Sequence, residues 1–99
     1  MAMDEVKIAI AQDRGIRAQA LLDNSLLQES FAYLESEYLK AWRNTKVKET
    51  DHREKFWQAI QILGIIQEHL KKFVTDGRVA AMDLARLAEE AKRKNVRSI

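Results

Sequence analysis

The chain has 99 residues, of which 46% are hydrophobic and 32% are charged, and its formal net charge is +2. A chain of this length builds at most one hydrophobic core, and this balance is typical of a folded protein rather than a disordered one. The absence of cysteine excludes disulfides and cysteine metal sites, and the absence of proline favours long helices.

The N-terminal stretch MAMDEVKIAI has acidic residues at positions 4 and 5 and no long apolar core. It therefore does not resemble a signal peptide. The longest apolar cluster, residues 60–66, is too short to cross a bilayer. These features predict a cytoplasmic protein without a membrane segment.

A first helix is predicted over about Asp4 to Leu22. Its apolar residues follow no clean stripe, and Gly15 lies in its interior, where glycine costs roughly 1 kcal/mol relative to alanine. The helix is therefore expected to kink at Gly15 or to be ordered by a partner.

A second helix is predicted over about Leu26 to Arg43. Ser25 followed by Gln28 matches a capping box, in which the serine side chain accepts a hydrogen bond from an early backbone amide. The apolar positions alternate at spacings of four and three, which places them on one face. That face contains Leu27, Phe31, Leu34 and Tyr38, with Trp42 beside it.

The stretch NTKVKETD is polar apart from one valine and predicts a bend. A third helix is predicted from about His52 to Val74, with Asp51 as its cap and Thr50 as the alternative. Its apolar face is wider than one neighbouring helix can cover, which predicts an oligomer or partner interface. The core residues predicted on this helix are Phe56, Trp57, Ile60, Leu63 and Leu70, and the predicted interface residues are Ile62, Ile65, Ile66 and Phe73.

The two tryptophans lie on either side of the bend. One interpretation is that Trp42, Phe56 and Trp57 close the open end of the hairpin core, each aromatic pair adding about 1 kcal/mol beyond area burial. The other is an exposed aromatic and basic surface that stacks on nucleic-acid bases. The basic residues proposed for such a contact are Arg43, Lys46, Lys48, Arg53, Lys55, Lys92, Arg93 and Lys94.

Glycines mark the remaining boundaries. Gly77 suits the left-handed position that ends a helix, so the third helix is predicted to end at residues 75–77. A fourth helix follows over about Arg78 to Lys94, with a basic tail at 92–99. Gly64, in the middle of a helix, marks either a close helix crossing or a tolerated glycine.

These elements predict an all-α fold: an antiparallel helical hairpin, with its core at about residues 25–74, flanked by an N-terminal and a C-terminal helix. About four helices would form one small bundle over residues 1–99. Such a short chain often gains stability by associating.

Charge is distributed unevenly along this bundle. Residues 1–37 carry three Lys/Arg against seven Asp/Glu, and residues 38–99 carry fourteen against eight. Solvated helix faces explain the pattern in the simplest way. The more specific interpretation is a molecule with an acidic end and a basic end, in which the basic end contacts nucleic acid or an acidic neighbour.

No catalytic, cofactor or metal site is predicted. His52 and His69 lack further ligands at suitable spacing, and the carboxylates Glu35 and Glu37 point to different helix faces. The glycines are isolated and form no phosphate-binding loop. The sequence therefore predicts a protein that is not an enzyme and binds no cofactor.

Three segments, LLDNSLLQESFAYLE, YLKAWRNTK and HREKFWQAIQILG, resemble small helical proteins of tailed phages and prophages. Those proteins carry similar runs: a leucine pair followed by Asp-Asn-Pro-Leu, then Ala-Trp-Arg-Asn, then Arg-Glu-Lys-Leu-Trp. The resemblance covers about residues 17–90. This chain departs from it at Ser25, where proline is usual, and at Phe56, where leucine is common.

The resemblance implies a phage origin, and with it a location in the infected or lysogenic bacterial cell or in the virion. Two classes of function follow. One is an assembly or DNA-packaging component similar to a small terminase subunit, a homo-oligomer held by Ile62, Ile65 and Ile66. The other is a host-takeover factor that binds and inhibits a bacterial protein. No helix-turn-helix is evident, so DNA contact is the weaker expectation and would be directed at the phosphate backbone.

Overall fold

The structure is a computed structural model that describes the backbone of residues 2–97 and the side chains of residues 4–95. Residues 2–97 form three α-helices and no strand, which confirms the predicted all-α class. Helix α1 spans Ala2–Leu22, α2 spans Ser25–Asn44 and α3 spans Thr50–Arg97.

The third and fourth predicted helices are one continuous helix. Helix α3 passes through residues 75–77 without interruption, and no described glycine has a positive φ angle. The predicted end at Gly77 is therefore wrong, because glycine ends a helix only where the chain adopts the left-handed conformation. The helix continues through most of the predicted tail 92–99, of which residues 98–99 lie outside the described residues.

The chain divides into two compact units. The first consists of Met1–Gln19 and Lys71–Ile99, and the second of Ala20–Leu70. The prediction of a single domain over residues 1–99 stays a prediction.

In the first unit, α1 crosses α3 at two glycines. A Cβ atom built on Gly15 would lie 2.8 Å from the Gly77 Cα and 2.8 Å from the Phe73 carbonyl oxygen. A Cβ on Gly77 would lie 3.2 Å from the Ala11 carbonyl oxygen. The later residue of α1, Gly15, thus faces the earlier residue of α3, Phe73, and the earlier residue Ala11 faces the later residue Gly77. The two helices therefore run in opposite directions. Only glycine lets two backbones approach this closely. Helix α1 continues through Gly15 without a break.

Gly64 does not mark a close crossing within the chain. A Cβ atom built at this position would meet nothing within 4 Å. The crossing proposed there forms instead at Gly15 and Gly77, which are far apart in the sequence. Local sequence does not distinguish these three glycines, because each lies inside a helix and only the packing of α1 against α3 differs.

The second unit is built around the antiparallel hairpin of α2 and α3, as predicted. Residues 45–49 form the bend. Next to it Trp42 contacts Arg53, and farther from it Phe31 of α2 and Gln67 of α3 line the same groove. This pairing of positions requires the two helices to run in opposite directions.

The residues that precede α2 and α3 are not the caps that the sequence predicts. The Asn24 side chain, not that of Ser25, accepts the Leu27 amide at 2.9 Å, and Gln28 donates to the Leu22 carbonyl instead of closing a capping box. Asparagine caps a helix as well as serine does, and Asn24, one residue before Ser25, has that role here.

Helix α3 already begins at Thr50. The predicted caps Asp51 and Thr50 therefore both lie inside its first turn. The carbonyl before the helix, that of Glu49, accepts the Arg53 amide at 3.0 Å. An acidic residue in the first turn still favours the helix through its dipole, which accounts for Asp51 without a capping role.

Little of the chain is deeply buried. Among the residues whose side chains are described, the buried hydrophobic ones are Ala18, Val74 and Ala80 in the first unit and Leu63 in the second. None of the large side chains described is fully buried. Val79 and Met82 are exposed because α1 packs on the face of α3 that contains Gly77 and Ala80.

Candidate functional site

Three exposed isoleucines of α3 form an apolar surface on the second unit. Ile62 is 55% exposed, Ile65 is 64% exposed and Ile66 is 43% exposed, whereas Leu63 beside them is buried. Residues three and four apart lie on the same side of a helix, so these side chains are neighbours. We call Ile62, Ile65 and Ile66 the isoleucine surface.

Phe73, the fourth predicted interface residue, belongs to the first unit. It is half-buried, and the Arg14 guanidinium lies over its ring at 5.0 Å from the ring centre. A cation placed over an aromatic face at this distance is attracted to it. Phe73 is therefore engaged within its own unit and is not included in the isoleucine surface.

The bend is held by one arginine. The Arg53 guanidinium lies over the Trp42 ring at 4.6 Å, and its Nη1 donates to the Thr45 hydroxyl at 2.9 Å. The Thr45 hydroxyl in turn donates to the Trp42 carbonyl at 2.6 Å. These contacts connect the end of α2 to the start of α3. Arg53 is thus a structural residue rather than a free basic contact.

The hairpin core is smaller than predicted. Trp57 is 51% exposed and Leu34 is also exposed, so neither belongs to the core. The Arg53 guanidinium lies over the Trp42 ring, and Trp57 remains outside the core. The other predicted positions are buried or half-buried: Leu27, Phe31, Tyr38, Trp42, Phe56, Ile60, Leu63 and Leu70.

An open cleft lies beside the bend. It has a volume of about 440 Å³, and Trp42 and Trp57 are both among its lining residues. Val47, Thr50, Arg53 and Glu54 complete the lining. The two tryptophans therefore share one cleft, but they do not form the closed aromatic cluster that was predicted.

The proposed basic residues fall into two groups. Arg43, Lys46, Lys48 and Lys55 are exposed in the second unit, where they surround the bend. Lys92, Arg93 and Lys94 are exposed on the last part of α3, in the first unit. Arg53 belongs to neither group because it is engaged by Trp42 and Thr45.

Glu49 fixes the conformation of the bend. Its carboxylate accepts the Lys46 amide at 2.9 Å and lies 3.4 Å from the His52 Nδ1 atom. The hydrogen bond from the Lys46 backbone, and after it the one from His52, lower the pKa of Glu49 because they stabilise its charged form. The bend is therefore held by its own side chains at neutral pH.

The described residues offer no arrangement suited to metal chemistry. No group of three or more His, Asp or Glu residues within them could hold a metal ion. Over the same part of the chain, no helix has an apolar stretch that could span a bilayer. What the second unit presents instead is apolar surface beside charged side chains.

Val47 is an exposed apolar residue for which no sequence pattern predicted a role. It is 86% exposed, the highest value among the large hydrophobic residues described, and it lies at the tip of the bend. A lone apolar residue in an otherwise polar turn is the signal that could have indicated it, because turns rarely need an aliphatic side chain.

Comparisons of this chain with known protein families, curated proteins and solved structures find no match.

Proposed function

We propose that the protein is a non-enzymatic helical component of tailed-phage assembly or DNA packaging, similar in class to a small terminase subunit, and that it works as a homo-oligomer. The observation that supports self-association is the isoleucine surface. Three neighbouring isoleucines, each more than two fifths exposed, would be covered by a second protein chain. The phage assignment rests on the resemblance of residues 17–90 described above.

The charged residues contribute to this function in a secondary way. Arg43, Lys46, Lys48 and Lys55 around the bend would contact phosphates or acidic side chains without reading a base sequence. The proposed assembly role does not require DNA contact, because self-association depends on the apolar surface.

Native mass tests the proposal. Light scattering of the wild-type chain is expected to give a ring-sized oligomer, and the variant with Ile62→Glu and Ile65→Glu is expected to give soluble monomers. Two carboxylates in the contact would be desolvated without a partner, which is strongly unfavourable. Circular dichroism checks that the variant stays helical.

The chain offers a matched control for this change. Ile10 and Ile16 of α1 are about as exposed as Ile62 and Ile65 and lie in the first unit. The variant with Ile10→Glu and Ile16→Glu should keep the wild-type mass. A wild-type monomer would contradict self-association and favour the host-takeover alternative, whereas an oligomer retained after the Ile62 and Ile65 changes would exclude this surface.

A further inference from the structure

The bend exposes an apolar side chain on a backbone that is held by hydrogen bonds. Val47 protrudes between Lys46 and Lys48, and all three residues are exposed. The Lys46 amide bonds to the Glu49 carboxylate, and the Glu49 amide donates to the Lys46 carbonyl at 2.9 Å. A protrusion fixed in this way loses little conformational entropy when it is bound.

An apolar groove of about 190 Å³ lies elsewhere in the same unit. An apolar cavity of about 150 Å³ accommodates a benzene-sized group, so a valine side chain fits in this volume. We call this site the α2 groove. Its lining is mostly apolar, but it also contains three polar residues: Leu21, Leu22, Leu27, Phe31 and Ala32 are joined by Gln28, Glu35 and Gln67.

The bend of the same chain cannot fill the α2 groove. Phe31 in the groove is 13 residues from Asn44, the last residue of α2. At 1.5 Å per helical residue the separation along the helix is about 20 Å. Because α2 is a continuous helix, this distance is fixed, and any bend that enters the groove comes from another chain.

The charges around the two features are complementary. Residues 20–37 contain four acidic side chains and no Lys or Arg, and one of the four, Glu35, lines the α2 groove. The protruding Val47 has a lysine on each side. Opposite charges around an apolar contact increase the rate of association and define its register.

We propose that Val47 of one copy inserts into the α2 groove of the next copy, with Lys46 and Lys48 placed against the acidic side chains near Glu35. This contact is heterologous, because the two copies contribute different surfaces, and repetition of such a contact builds a ring or a filament. The inference rests on the proposed function and adds to it the residues that join successive copies.

The first test changes the protrusion. Val47→Asp should weaken association by about tenfold or more, because an apolar contact is replaced by a buried charge facing acidic residues. The measurement is native mass against protein concentration by light scattering. Val6→Asp is the matched control, since Val6 is an exposed valine in the first unit, and it should leave association unchanged.

The second test uses mixing. A groove variant with Ala32→Lys and Glu35→Lys should also fail to associate, because its groove repels the lysines of the bend. Mixed in equal amounts, the Val47→Asp chain supplies an intact groove and the groove variant supplies an intact bend. The mixture should therefore contain larger associated species than either variant forms alone.

The outcomes separate the two proposals. If the wild type is a monomer, the proposed function fails, and this inference fails with it. If the wild type is an oligomer that Ile62→Glu and Ile65→Glu dissociate, but Val47→Asp keeps its mass, only the bend contact is excluded. Failure of the mixture to recover association also overturns the inference. Both variants change exposed side chains, and circular dichroism verifies that each stays folded.

Discussion

Gly15 and Gly77, at the crossing of α1 and α3, leave no room for a side chain. The atoms that a Cβ on Gly15 would meet, the Gly77 Cα and the Phe73 carbonyl oxygen, both belong to the backbone. Backbone atoms of a helix cannot move aside as the end of a flexible side chain can. The crossing therefore depends on the absence of two side chains.

Gly15→Ala should lower the free energy of unfolding. Alanine favours a helix over glycine by about 1 kcal/mol, but overpacking a close contact costs typically about 1–3 kcal/mol, so the net effect is expected to be a loss of up to about 2 kcal/mol. Gly77→Ala should behave in the same way. Denaturant titration followed by circular dichroism measures both variants.

Gly64→Ala is the control for this prediction. Because nothing lies within 4 Å of the added Cβ, only the gain in helix propensity remains, and stability should rise by up to about 1 kcal/mol. Equal effects of alanine at Gly15 and Gly64 would show that the glycine crossing does not determine stability.

Local sequence could not have assigned these roles. The threonine, aspartate and glycine at 75–77 are typical of a helix end, and the same residues are also compatible with a helix interior. The deciding contact comes from Gly15, some sixty residues earlier. Tertiary contacts of this kind override a local signal because they are absent from any short window of sequence.

At the scale of the helices, the start of α2 depends on one capping side chain. The Asn24 side chain accepts the Leu27 amide, whereas Ser25 is already the first helical residue. Asn24→Ala should lower the free energy of unfolding by about 1 kcal/mol, because an amide at the helix start loses its partner. Thermal or denaturant unfolding provides the measurement.

Ser25→Ala is the matched control, one residue later. Since the structure gives Ser25 no capping role, this change should be neutral or slightly stabilising, as alanine has the higher helix propensity. A larger loss at Ser25 than at Asn24 would restore the capping box that the sequence predicts.

The existence of the helices was more predictable than their ends. A chain without proline and with apolar residues at spacings of three and four has few alternatives to helix, so α1, α2 and the bend were expected near their observed positions. Helix ends depend on single hydrogen bonds, such as that of Asn24, and neighbouring polar residues compete for them. The first residue of a helix is therefore less predictable than its presence.

For the molecule as a whole, the width of the apolar face on α3 was informative. The sequence showed more apolar positions than one neighbouring helix covers, and the structure leaves Ile62, Ile65 and Ile66 exposed. Trp57 was misassigned because periodicity places it at one edge of the apolar face, whereas the structure leaves its side chain exposed. The α2 groove depends on the packing of three segments, and no single motif indicates it.

The exposed isoleucine surface leads to a final prediction about folding and assembly together. If association covers the isoleucine surface, unfolding must also separate the copies, and the melting temperature of the wild-type chain should rise with protein concentration. Each tenfold increase in concentration favours the associated state by up to about 1.4 kcal/mol per copy. Scanning calorimetry over a hundredfold range of concentration measures this shift.

The variant with Ile62→Glu and Ile65→Glu isolates the cause of that shift. Its melting temperature should be lower than that of the wild type and independent of concentration, because a monomer unfolds without dissociating. Ile10→Glu with Ile16→Glu should retain the concentration dependence. A wild-type melting temperature that stays constant over the whole range would mean that the chain folds alone, and the exposed isoleucines would then have to serve contact with a different protein.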